Sequence, residues 1–85
     1  MSKRIKMLHK YVDPETRENK SEYLTLTLNE LKDELDGLME RDFHFKGDNI
    51  VFTGYGDWSG DEYVYIVPKD ALLNIMLLES FDNLF

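Results

Sequence analysis

One stretch limits what this chain can fold into more than any other: from Tyr23 to Met39 an alternating segment runs straight into a marked helix start. In Tyr23-Leu24-Thr25-Leu26-Thr27 the two leucines fall on one side and Tyr23, Thr25 and Thr27 on the other, the period of a half-buried strand. Thr27-Leu28-Asn29-Glu30 then reads as a capping box, in which the threonine hydroxyl accepts from the Glu30 amide and the Glu30 carboxylate accepts from the Thr27 amide. A helix should begin at Leu28. Leu28, Leu31, Leu35, Leu38 and Met39 share one stripe at helical spacing, with Glu30, Asp33, Glu34, Asp36 and Glu40 outward. Gly37 either weakens this helix by about 1 kcal/mol relative to alanine or ends it.

Upstream, Arg4 to Val12 alternates as a strand, with Ile5, Met7, His9 and Tyr11 on one face, and its basic residues mark an edge or a solvated face. Asp13 to Lys20 is a polar loop opened by Asp13-Pro14-Glu15, so the first two strands form a hairpin. Downstream, Phe43 and Phe45 alternate with Asp42, His44 and Lys46, and a turn from Lys46 to Asn49 leads into Ile50 to Thr53. Phe43, Phe45, Ile50 and Phe52 are expected to face the core. Gly54 to Asp61 reads as a loop rich in glycine, aromatics and acids. Glu62 to Val67 is a strand with Val64 and Ile66 on one face and Tyr63, Tyr65 and Val67 on the other. Pro68 stops it.

The segment from Lys69 to Phe81 is expected to be a second helix, with Ile75 to Leu78 as a strand the alternative. Its apolar residues spread around the whole circumference, and the tail adds Leu84 and Phe85. That surplus implies a sandwiched helix or a self-association surface formed by Leu73, Leu77 and Phe81. The order is ββαβββα, which predicts a single α+β domain over 1–85: an antiparallel sheet of about five strands with two helices packed against it.

Eighty-five residues with eleven aromatics suffice for one modest core. The absence of cysteine excludes disulfides and thiolate metal sites. No signal peptide or membrane-length apolar run is evident, which points to a cytoplasmic protein with no membrane partner. Residues 1–10 hold four bases and no acids, so the other seventy-five carry all seventeen acids against six bases. Such a field repels phosphate backbones, making direct nucleic-acid binding unfavourable, and attracts basic proteins.

No catalytic, cofactor or metal set emerges. His9 and His44 lack ligand spacing, and Ser59 has Asp57 where a nucleophile turn needs glycine. Gly54-Tyr55-Gly56 leads into a β segment where a phosphate loop must open a helix. Asp57, Ser59, Asp61 and Glu62 lack calcium-loop spacing. Tyr23, Tyr63 and Tyr65, read as one face opposite the leucines, suggest a platform for single-stranded bases, which the acidic charge opposes.

In composition alone, a small acidic cysteine-free domain resembles the inhibitors and immunity proteins of phages and other mobile elements. The leading expectation is a non-enzymatic protein-binding module, an inhibitor covering a basic nucleic-acid-binding surface of another protein. Glu30, Asp33, Glu34, Asp36, Glu40, Asp42, Asp57 and Asp61 would supply charge, and Tyr55 and Trp58 the apolar anchors. The alternatives are a self-associating accessory subunit built on the second helix, giving a homodimer, and a single-strand binder built on the tyrosines.

Overall fold

The computed structural model describes residues 3–57 and 60–84, with 77–84 as backbone alone. The chain runs β1 (Arg4–Val12), β2 (Asn19–Thr27), α1 (Leu28–Asp36), β3 (Leu38–Lys46), β4 (Asn49–Gly56), β5 (Glu62–Pro68) and α2 (Lys69–Leu84). Five strands form one antiparallel sheet in the order β2-β1-β5-β4-β3. This is the expected ββαβββα architecture.

The capping box forms as the sequence dictates: the Glu30 amide donates to Thr27 Oγ1 at 3.2 Å and the Thr27 amide to Glu30 Oε1 at 2.9 Å. The helix it starts ends at Asp36, with Gly37 as its C-cap. Leu38, Met39 and Glu40 therefore leave the predicted helical stripe and open β3. Because β2 and β3 lie at opposite edges, α1 crosses one face of the sheet to join them. α2 packs on the same face, and Ile5, Met7, Leu28, Leu31, Ile50, Tyr65, Val67, Leu72 and Ile75 form one core between helices and sheet.

One open choice is decided and three further expectations are corrected. β1 is interior, between β2 and β5, so of the two readings of its basic residues the solvated face holds. β4 continues to Gly56, so the predicted Gly54–Asp61 loop shortens to the turn after it. Gly54 sits so close to Leu38 that an added Cβ would stand 2.7 Å from the leucine Cβ, a spacing only glycine meets. Phe43 and Phe45 share a face with Ile50 and Phe52 through the register, yet are 58% and 64% exposed, because the edge strand runs beyond the helical cover. Finally, Ile75 to Leu78 is helical, and α2 continues past the predicted end at Phe81 to Leu84.

The sheet has a seam. β1 pairs with β2 over nine residue pairs, but with β5 over only three, Leu8↔Ile66, His9↔Tyr65 and Lys10↔Val64. That seam joins the N-terminal hairpin to the β3-β4-β5 meander.

Candidate functional site

Antiparallel pairing decides which loops meet. The β1–β2 turn, the α1–β3 junction and the β4–β5 turn all lie at one end of the sheet, since Val12 pairs with Asn19, Leu38 with Gly56 and Tyr55 with Glu62. Segments 13–20, 33–41 and 57–62 hold ten of the seventeen acids and three of the ten bases, Lys20 among them through its pairing with Asp13 at 3.5 Å, a local net charge of −7. The remainder, with seven acids and seven bases, is neutral. The whole excess of negative charge thus belongs to one end of the molecule.

That end is built firmly. Asp13 accepts from the amides of Glu15 and Thr16 at 2.8 and 3.3 Å, closing the turn predicted around Pro14. These amides, with Lys20 in a smaller role, hold the Asp13 carboxyl below its ordinary range. Arg17, at a positive φ of 62°, reaches across and donates both guanidinium nitrogens to Asp61 at 2.7 and 2.8 Å. The two turns are latched by this fork, and the Asp61 carboxylate raises the Arg17 pKa in turn.

Between them opens a cleft of about 630 Å³ lined by Pro14, Asp33, Glu34, Gly37, Leu38, Gly56, Asp57, Tyr63 and Tyr65. Tyr65 is buried and donates its hydroxyl to Glu34 Oε2 at 3.1 Å; burial first, and the Glu34 charge second, raise its phenol well above the usual range. Behind the cleft, His9 is stacked on Tyr65, Tyr11 and Tyr63 at centroid distances of 4.3, 5.0 and 5.8 Å. Its Nδ1 lies 3.1 Å from the Val64 carbonyl, which can only accept, so Nδ1 carries the proton.

The structure sorts the predicted contact residues. Asp33, Glu34 and Asp57 converge on the cleft, and Asp36, Glu40 and Asp61 lie at the same end. Asp36 is engaged by Arg41 at 2.8 Å and Asp61 by Arg17. Glu30 sits at the opposite end, bound by its own cap and by Arg4 at 2.9 Å. Asp42 and Tyr55 project from the uncovered face of the sheet. Trp58 lies outside the described residues, as do the side chains of Leu77 and Phe81; Leu73 is exposed. The tyrosine platform does not form: Tyr65 pairs with His9 on the helix side, whereas Tyr23 pairs with Leu8 and is exposed on the other.

Pro14 and Tyr11 are cleft and backing residues that sequence reasoning did not assign to a contact surface, and Tyr63 and Tyr65 were assigned only to the base platform on the other face. Their signal was two strands each carrying aromatic side chains at positions two apart, readable only once β1 and β5 are known to be neighbours. Among the described residues no cluster of acids or histidines has metal-holding geometry, and no helix is long and apolar enough to cross a membrane. Set against known protein families, curated proteins and solved structures, the chain matches none of them.

Proposed function

We propose that this chain is a non-catalytic protein-binding module whose acidic end captures a basic surface of another protein, acting as an inhibitor where that surface binds nucleic acid. The observation that carries this reading is the segregation of charge: −7 within three segments at one end and none elsewhere. Solubility alone calls for acids of any placement. Here Asp33, Glu34 and Asp36 occupy the last turn of α1, where no base is present and the helix dipole disfavours negative charge. A placement that works against the helix is expected where the charge serves a contact.

The cleft supplies the local chemistry. A guanidinium or ammonium group entering it meets the carboxylates of Asp33, Glu34 and Asp57 beside Tyr63 and Tyr65. Glu34, oriented by the Tyr65 hydroxyl, is held ready to accept.

The test is affinity capture with the wild type and with Asp33→Lys/Asp57→Lys as bait. The expected result is a basic partner that the wild type retains, the variant loses, and added salt or duplex DNA displaces. Retention indifferent to the substitutions and to DNA would remove the acidic end as the binding surface.

A further inference from the structure

We propose that the free edge of β3 is a self-pairing surface, through which two copies of this chain join their sheets antiparallel about His44. The inference is independent of the acidic end and its partner. β3 is an edge strand, and in it Phe43 and Phe45 are the two most exposed phenylalanines described, stacked edge to face at 6.3 Å. The hairpin turn fixes where its backbone groups point. Gly47 has a positive φ of 59° in a two-residue connection, so Lys46 and Asn49 form the hydrogen-bonded closing pair. Ladder alternation then turns the amides and carbonyls of Phe43 and Phe45 outward. The Phe43 amide instead meets Asp42 Oδ1 at 2.8 Å, as befits an N–H without a strand opposite it.

The occupant follows from the sequence of that edge. Asp42-Phe43-His44-Phe45-Lys46 is complementary to itself when reversed: centred on His44, Asp42 of one copy faces Lys46 of the other, and Phe43 faces Phe45, twice over by symmetry. The outward backbone groups of Phe43 and Phe45 meet in this register and no side chain changes face. All four phenyl rings gather on the helix side, and Asp42 exchanges its local amide for an ammonium group.

Two features limit the pairing to this segment. Between Met39 and Asp42 the register shifts as Glu40 and Arg41 together oppose Gly54, with Glu40 at a φ of 50°, so the upper part of the edge is bent out of use. At the other edge, β2 exposes one large apolar side chain, Tyr23, and it lies beneath the Lys6 ammonium at 4.8 Å. An antiparallel junction near the lower end of β3 also sends the two acidic ends in opposite directions, which keeps their like charges apart.

The experiment is sedimentation across a concentration series with a charge exchange. Asp42→Lys and Lys46→Asp should each weaken the dimer about tenfold, and the double variant should restore it. Circular dichroism confirms folding of these exposed-site variants. Amide exchange on the wild type is a second readout, in which the Phe43 and Phe45 amides should gain protection as concentration rises. A wild type that stays monomeric at millimolar concentration, or exchange that ignores concentration, would overturn the proposal. So would a dimer indifferent to the charge exchange but dissociated by Leu73→Glu, which would move the contact to α2.

Discussion

Thr27 and Glu30 each satisfy the other's backbone amide, so neither is dispensable although both are only half-buried. Thr27→Ala should lower stability by about 1 kcal/mol, read from the urea midpoint, because the Glu30 amide loses its acceptor. Glu30 also sets part of the pH dependence. Its hydrogen bonds from Thr27, and secondarily the Arg4 charge, hold its folded pKa below the unfolded value, as amides do for Asp13. The stability these two contribute is present above the ordinary carboxylate range near about pH 4 and is lost as pH falls through the depressed folded values. Glu30→Gln should flatten that acid loss in a urea–pH series. Tyr65 acts at the other extreme: its raised pKa means the unfolded chain ionises first, so stability falls above about pH 10, and Tyr65→Phe should abolish that decline. At Gly54 the argument is steric. Gly54→Ala would drive a methyl against Leu38 Cβ and Cδ1, 2.7 and 2.9 Å from the new atom, and should destabilise by about 1–3 kcal/mol.

At the scale of elements, α1 separates packing from charge. Leu31 is 2% exposed, and Leu31→Ala should lower stability by about 2–5 kcal/mol. Asp33→Lys should instead stabilise by about 0.3–1 kcal/mol, by placing a cation in the last helical turn, while weakening capture of a basic partner. A variant that gains stability and loses binding would separate the contact role from the structural one in a single protein. α1 was legible at its start because a capping box is a local reciprocal bond, encoded in four consecutive residues. Its end was legible only as one of two readings of Gly37, since Leu38 and Met39 continue the helical spacing and pairing with Gly56 and Tyr55 is what makes them strand. The exposure of Phe43 and Phe45 was illegible for a related reason: alternation names the face, and only tertiary placement says whether a helix reaches that far. Tyr63 and Tyr65 were set on the wrong side because the faces of separate strands were matched without knowing which strands are neighbours. The acidic end suffered the same limit, its three segments being scattered along the chain and brought together only by the sheet.

At the scale of the whole molecule, the segregated charge makes association with a basic protein a long-range event. Binding should weaken steeply between low and physiological salt, chiefly through the association rate, as the Debye length falls to about 8 Å. Surface plasmon resonance across a salt series reads this directly; an unchanged association rate would contradict it. The three-pair seam between β1 and β5 has a consequence of another kind, in time. The β1–β2 hairpin and the β3-β4-β5 meander each close over short stretches of chain, whereas the seam brings together residues more than fifty positions apart, such as Lys10 and Val64. The slow event in folding is therefore expected to be the meeting of two preformed halves at Leu8, His9 and Lys10. In stopped-flow refolding, Ile66→Ala should act mainly by slowing folding, and Leu26→Ala, away from the seam, mainly by speeding unfolding.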